Sequence, residues 1–340
     1  MSHAHPPVTV LMPLFNGKAY LGQAIESILG QTFGDFELLV VDDGSTDDGP
    51  NIVKGYRDPR IRLLSNDTNL GIAATLNRGI GLARGKYVAR MDCDDISLPH
   101  RLEKQFAFME AHPDVGVCGS RVRRIGAKKG IWKVKAGDEA IKSRLLFENA
   151  MAHPSVMIRK SVLVDHNLRY DPALRCSQDY AFWVDLSRHS RLANLEQILV
   201  NYRVHASQIS EARKAEQRCA ADGIRARQLR LLSMEPTFED VTLHGNIATY
   251  ELAGDRHFVD EADFWMSRLR RLNAEKGYYG EPAFSEELAD RWYKLCKKSS
   301  RLGLWIWKRY RSSDLAGIGA ASAGRKAELL ITSLFHGGGQ

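Results

Sequence analysis

Two acidic clusters have the residue types and spacing for chemistry on a charged ligand. In Asp92-Cys93-Asp94-Asp95, carboxylates recur at alternate positions just after an apolar run. Such carboxylates can converge on one hard divalent cation, Mn²⁺ or Mg²⁺, which keeps positions open for phosphate oxygens. Packed together without a cation they repel. The same residues also read as a polar turn, with Asp95 or Ser97 capping a helix that Pro99 begins. The second cluster is Asp42-Asp43-Gly44-Ser45-Thr46-Asp47. Asp42 or Asp43 can accept a hydrogen bond from a nucleobase N–H or a ribose hydroxyl. Alternatively, Gly44 makes a tight turn and Ser45 or Thr46 caps the next helix.

The elements that must position these clusters are legible. Val8–Leu14 is a short apolar run suited to a buried parallel strand, and Leu21, Ala24, Ile25, Ile28 and Leu29 follow at helical spacing. Phe36–Val41, Ile61–Leu64 and Tyr87–Met91 predict three more strands, with a helix over Ile72–Ala83 before the last. Strands separated by helices imply right-handed crossovers and a parallel sheet, whose ligands bind beyond the strands' carboxyl ends. Both clusters lie at such ends, so they should line one crevice. Shorter β-like runs follow at Val115–Cys118, Val156–Ile158 and Leu199–Val204. Beyond Ser207 the pattern predicts helices over Ala212–Leu232, Val259–Asn273, Glu286–Tyr310 and Arg325–Leu334.

Composition narrows the class. With 44% hydrophobic and 26% charged residues the 340-residue chain is globular, which excludes collagen-like, coiled-coil or wholly disordered descriptions. No run approaches the ~18 apolar residues of a spanning helix. The start lacks a basic segment leading into an apolar core, so no secretory signal is expected. Five cysteines without a Cys-x-x-Cys pair argue against a zinc site or disulfide framework and fit a reducing cytoplasm. The net charge of +7 is unevenly placed: Arg291–Arg311 carries eight Lys/Arg and Arg121–Lys135 seven, neither with an acid.

Taken in order, Pro13-Leu14-Phe15-Asn16, the Asp42–Asp47 cluster, Asn69-Leu70-Gly71 and Ala89-Arg90-Met91-Asp92-Cys93-Asp94-Asp95 form one pattern. In it, residues 8 to about 205 resemble an inverting family 2 glycosyltransferase of the GT-A fold, of a non-processive bacterial type. The resemblance implies an α/β, Rossmann-like αβα sandwich with a mostly parallel central sheet over residues 1–206, followed by a helical region over 207–340. Its nucleotide-sugar half would run over about 8–119 and its acceptor half over about 120–206. Asp42 and Asp43 would contact base and ribose of a nucleotide-sugar, usually a UDP-sugar. Asp92 and Asp94 would hold a divalent cation on the diphosphate, Asp92 also lying near the ribose. Pro13, Phe15, Asn16, Asn69 and Gly71 would complete the donor site.

Ser177-Gln178-Asp179-Tyr180-Ala181-Phe182-Trp183 matches the family's acidic motif before a helix, which makes Asp179 the general base. Gln178 stands where many members carry Glu. A first-turn acid behind a Ser N-cap is also favoured by the helix dipole alone, by roughly 0.3–1 kcal/mol. His153-Pro154-Ser155 resembles a family segment in the acceptor half, although a lone histidine is more often structural. Processive synthases of the family carry Gln-x-x-Arg-Trp, whereas Leu288 precedes Arg291-Trp292 here. The expected acceptor is a saccharide or a lipid-linked saccharide of cell-surface polysaccharide or glycolipid synthesis.

Three of the six tryptophans lie in the basic segment 291–311. Aromatics beside Lys and Arg suit an anionic headgroup layer, which would place the enzyme on the inner face of the cytoplasmic membrane. The same pattern fits a helix packing its aromatics inward. Two rivals remain from other classes. A nucleic-acid- or lipid-binding module would leave the acidic clusters unexplained, so no nucleic acid is expected. A Rossmann oxidoreductase would need a glycine-rich turn where Phe15-Asn16-Gly17-Lys18 stands.

Overall fold

The computed structural model describes residues 5–205, 214–318 and 323–336. The chain divides into two units, residues 1–141 with 149–220, and residues 142–148 with 221–340. The boundary expected at residue 206 lies outside the described residues.

The first unit opens with β1 (Val8–Leu14), α1 (Lys18–Leu29), β2 (Phe36–Asp42), α2 (Gly49–Gly55), β3 (Ile61–Ser65), α3 (Ile72–Leu82) and β4 (Tyr87–Arg90). Every residue of β1 and β2 is buried, which is why these strands are apolar without alternation. Helix α1 closes on them through Leu21, Ala24, Ile25 and Ile28. β5 (Ile96–Ser97), α4 (Arg101–Ala111), β6 (Val115–Gly126), β7 (Gly130–Trp132), α5 (Asp138–Leu145, whose residues from 142 on belong to the second unit), β8 (Met157–Arg159), α6 (Lys160–Asp165), α7 (Gln178–Leu186) and β9 (Arg191–Val204) follow.

All nine strands form one sheet in the order β3-β2-β1-β4-β8-β6-β9-β5, with β7 beside β6. β1 to β4 are mutually parallel where they pair, and β6 is parallel to β9. β8 runs antiparallel between β4 and β6. This is the expected α/β sheet, with four of its eight strand pairings parallel, including the whole run β3-β2-β1-β4. Leu14 pairs with Asp42, Asp42 with Ser65 and Leu11 with Arg90, so the carboxyl ends of β1, β2 and β4 open on one side. β6 and β9 are longer than their apolar runs, because their distal halves pair with each other in a partly exposed ribbon that needs no unbroken apolar stretch.

The second unit is helical: Lys214–Leu229, Phe238–Thr249, Arg256–Lys276, Ala283–Lys298, Leu304–Ser312 and Ala323–His336, the first of these beginning in the other unit. Two expectations need correction. The helix at 238–249 went unread, although Thr237 and Asp240 form a capping box, each side chain bonded to the other's backbone N–H. The single helix expected over Glu286–Tyr310 is broken: Gly303 takes φ 65°, the left-handed region, between the helices ending at Lys298 and beginning at Leu304.

The core of this unit gathers Trp265, Phe284, Trp292, Leu295, Ile306 and Tyr310. Trp292 and Tyr310 are therefore interior, and Trp305 and Trp307 pack against the same core. Of the two readings of residues 291–311, the burial of Trp292 and Tyr310 favours the helix that packs its aromatics inward. Among the described residues no helix is long and apolar enough to cross a membrane.

Candidate active site

Four loops meet at the carboxyl end of the sheet, each tied to the next. Asp43 is buried and accepts from the backbone N–H of Leu70 at 2.8 Å and of Gly71 at 2.9 Å, and from Asn66 Nδ2 at 2.7 Å. Its carboxylate thereby holds the 66–71 loop, and Gly44 (φ 72°) lets that loop approach so closely that a Cβ would lie 2.9 Å from the Thr68 carbonyl carbon. Asn16 Oδ1 accepts from the backbone N–H of Thr46 at 2.8 Å, pinning the 42–47 loop to the one after β1. A Cβ on Gly17 would stand 2.6 Å from Cys93 Sγ, so the β1 loop also abuts the 92–95 loop.

The expected donor-site residues thus come together with different tasks. Asp43 and Asn16 spend their side chains on shaping the crevice. Asp42, also buried, accepts from the Ser45 N–H at 3.1 Å. Phe15 is half exposed beyond β1, Pro13 is buried in the strand, and Asn69 is exposed on the loop that Asp43 fixes through Gly71.

Asp92, Asp94 and Asp95 place one carboxylate oxygen each within 4.8 Å of one another. Burial raises the Asp92 carboxyl above its usual range, against the pull of Arg90 with which it pairs; Asp94 raises it further. Burial and its two neighbours push Asp95 up in the same way. Asp95 does not cap a helix: Oδ1 accepts from the Arg203 N–H at 2.7 Å, and Oδ2 is buried with no hydrogen-bond partner among the described residues. A buried carboxylate oxygen without a donor, in a crowd of carboxylates, is the environment a cation satisfies. Cys93 contributes no thiolate, since burial and the flanking aspartates push its thiol up to about 12.

His205, one residue past β9, was missed by sequence reasoning; its Nε2 lies 2.8 Å from Asp94 Oδ2. Nothing local marks it, because β9 brings it there from over a hundred residues away. Oxygen donors with one imidazole suit Mn²⁺ or Mg²⁺, Mn²⁺ taking the nitrogen more readily. The residues present therefore fit a divalent cation.

Asp179 lies in the first turn of α7, where Ser177 adopts φ 58° and makes no side-chain cap; its hydroxyl donates instead to the Gln217 carbonyl. The capping explanation of this acid thus loses its partner. Asp179 Oδ2 accepts from Asn149 Nδ2 at 2.6 Å and Oδ1 from the Tyr180 N–H at 2.9 Å. Burial raises its carboxyl above the usual aspartate range, against Arg90, Asn149 and the Tyr180 N–H. The charge of Asp179 in turn raises Asp92, so the acid of α7 and the 92–95 loop sense each other across Arg90. Gln178 is half exposed beside it.

Arg90 and Asn149 were also missed. The signal for Arg90 was a charge closing an apolar strand, Tyr87–Arg90; Asn149 gave none. His153 is buried, with Nε2 2.9 Å from the Tyr170 hydroxyl and its ring edge-on to Trp183. Burial, with Arg90 nearby, holds it well below the usual histidine value, so it is neutral.

A family model described as glycosyl transferase family 2 matches residues 9–165. An uncharacterized glycosyltransferase of Haemophilus influenzae is 34% identical over 233 residues, covering 65% of this chain and 72% of that one. The O-antigen biosynthesis glycosyltransferase WbnJ of Escherichia coli is 30% identical over 228 residues, 64% of this chain and 87% of its own. Among solved structures, Staphylococcus aureus TarS 1-349 in complex with UDP-GlcNAc superposes with TM-score 0.59 at 17% identity, covering 96% of this chain and 90% of that one. The mannosyltransferase PcManGT of Pyrobaculum calidifontis, in complex with GDP-Man and Mn²⁺, does so with TM-score 0.55 at 15% identity, covering 97% and 86%.

Proposed function

Because the chain belongs to glycosyl transferase family 2 and has the GT-A fold, we propose that it moves a sugar from a nucleoside-diphosphate sugar to an acceptor hydroxyl with inversion, using Asp179 as general base. The observation that carries this reading is the pairing of two unlike acidic groups around Arg90: a carboxylate cluster with an unpartnered buried oxygen, and a single oriented carboxylate on α7. Asp92 and Asp94, with Asp95 and His205 beside them, would hold Mn²⁺ or Mg²⁺. When bound, such a cation neutralises charge on the leaving diphosphate as a Lewis acid.

The chain's own residues do the rest. Asn149 and the Tyr180 N–H fix the Asp179 carboxylate in one orientation. Burial raises its pKa, which makes its ionised form a stronger base than an exposed aspartate. Asp179 takes the acceptor's hydroxyl proton as that oxygen bonds to the anomeric carbon. The bond from that carbon to the diphosphate oxygen breaks on the opposite face, and its electron pair leaves with the nucleotide. One displacement inverts the anomeric configuration, and no second carboxylate is needed as nucleophile.

The donor is a UDP-sugar in the first instance, with a GDP-sugar the specific alternative, since the two structural neighbours carry one of each. The acceptor is a saccharide, free or lipid-linked, in polysaccharide synthesis, as the O-antigen enzyme among the relatives suggests. Catalysis rests with residues 8–205. Hydrolysis across a panel of nucleotide-sugars, with Mn²⁺ and with a chelator, tests the reading. Metal-dependent turnover of one donor is expected, and equal turnover under chelation would remove the cation from the proposal. The anomeric configuration of a transferred sugar, read by NMR, checks inversion.

A further inference from the structure

The basic block at residues 121–135 forms the far end of β6, the turn after it and β7. Across this ribbon Arg123 pairs with Ile131, and both are exposed, Ile131 by 50%. Lys133, two residues on, and Lys129 at the turn are exposed as well. Arg121 is paired with Glu196, whereas Arg123, Lys129 and Lys133 form no ion pair among the described residues. The other face is anchored: Val122 is buried, Trp132 meets Tyr202 edge-on, and Arg124 lies over the Trp132 ring. The outward face, an aliphatic side chain ringed by unpaired cations, is therefore not required for packing.

Its position is as telling as its chemistry. Ala89 of β4 is level with Met157 of β8, and Met157 with Cys118 of β6. From Cys118, β6 runs on to Gly126, about 25 Å at a strand's rise, toward the side where the 92–95 loop lies. The turn is tied there by the Ala127 N–H to the Val204 carbonyl, one residue before His205.

We propose that this face docks on an anionic lipid bilayer, with Ile131 at the acyl boundary and Arg123, Lys129 and Lys133 among phosphate headgroups. An apolar side chain flanked by snorkelling cations suits that interface. Single-stranded nucleic acid would instead need exposed aromatics for its bases, and Trp132 is half buried against the ribbon. Such docking turns the carboxylate end of the sheet toward the membrane, where a lipid-linked acceptor is held; the docking itself does not depend on the transfer chemistry.

The test is sedimentation of the full chain with phosphatidylglycerol–phosphatidylcholine vesicles and with pure phosphatidylcholine vesicles, without any substrate. Each cation near an anionic leaflet raises partitioning about fivefold, so the variant Arg123→Ala/Lys129→Ala/Lys133→Ala should bind the anionic vesicles about a hundredfold less, while keeping the parent's melting temperature. Ile131→Asp should weaken binding with all cations in place. In contrast, Lys298→Ala/Lys308→Ala/Arg311→Ala, which removes exposed cations of the C-terminal segment, should bind as the parent does. A parent that ignores anionic vesicles, or a triple hairpin variant that sediments as the parent does, overturns the proposal. So does a hairpin variant that loses nucleoside-diphosphate binding while its sedimentation is unchanged, which would assign these cations to the donor site.

Discussion

Each unit buries a cluster of charges, and the two clusters are built on opposite rules. In the helical unit, Arg291 lies 2.9 Å from Glu287 and 3.0 Å from Glu148, while Arg144 sits between Glu148, Glu287 and Asp290. Lys294 and Arg325 complete the set on Asp290. Four cations face three acids, and the Arg291 guanidinium is held above its usual value by Glu287 and Glu148 despite its burial. At the end of the sheet, Asp92 pairs with Arg90, whose charge also acts on Asp95 and Asp179, and the carboxyls of all three aspartates are raised by burial. Balanced charge holds a fold together, whereas an excess of one sign marks a place where the missing sign arrives with a ligand.

That contrast can be broken, most severely at Asp94. Asp94→Ala should abolish Mn²⁺-dependent binding of UDP or GDP, read by calorimetry, and cut kcat/KM by about 10³ or more. Retained metal-dependent binding would place the cation elsewhere. Asp179→Asn should lower kcat by about 10² to 10⁴ while nucleotide affinity stays within a few-fold. Full transfer in this variant would show that the proton goes to another group.

The same aspartate predicts a pH dependence in two directions. Since burial raises its pKa, kcat should fall with decreasing pH before an exposed aspartate would protonate. Stability runs the other way: the native state prefers the protonated acid, so this contribution is present at acid pH and is lost as pH rises through the raised pKa. Asp179→Asn should therefore melt no lower than the parent at neutral pH.

Glu287→Ala strands Arg291 without its closest partner and should cost about 3–5 kcal/mol of stability in denaturant unfolding. Nucleotide affinity measured below the transition should not change. The smallest effect is expected at His205: His205→Ala should weaken Mn²⁺ affinity about 10- to 100-fold and shift preference toward Mg²⁺. An unchanged Mn²⁺ titration would make the histidine a packing partner of Asp94 alone.

Much of the first unit could be read directly. β1 came out at its observed limits, and β2, β3, β4 and α3 came within one residue at either end, because a sheet covered on both faces writes itself as unbroken apolar runs separated by helical spacing. β6 and β9 were only half legible, since their exposed ribbon carries Arg and Asn where a buried strand carries Val. In the helical unit the break at Gly303 and the helix after Thr237 were there to be read. What was not legible is the use of the aromatics at 291–311, because a basic amphipathic helix looks alike whether its apolar face meets lipid or other helices.

By itself the sequence determined the elements that carry Asp42, Asp43, Asp92 and Asp94, since local periodicity and strand ends follow from neighbours along the chain. Only the tertiary structure decided that Asp43 and Asn16 hold loops, that Arg90 stands between two acidic groups, that Asn149 orients Asp179, and that His205 reaches Asp94. Apart from the local Arg90–Asp92 pair, each of those contacts joins residues far apart in the chain, and burial, which shifts their proton affinities, is a property of the surrounding packing and has no signature in any one stretch of sequence.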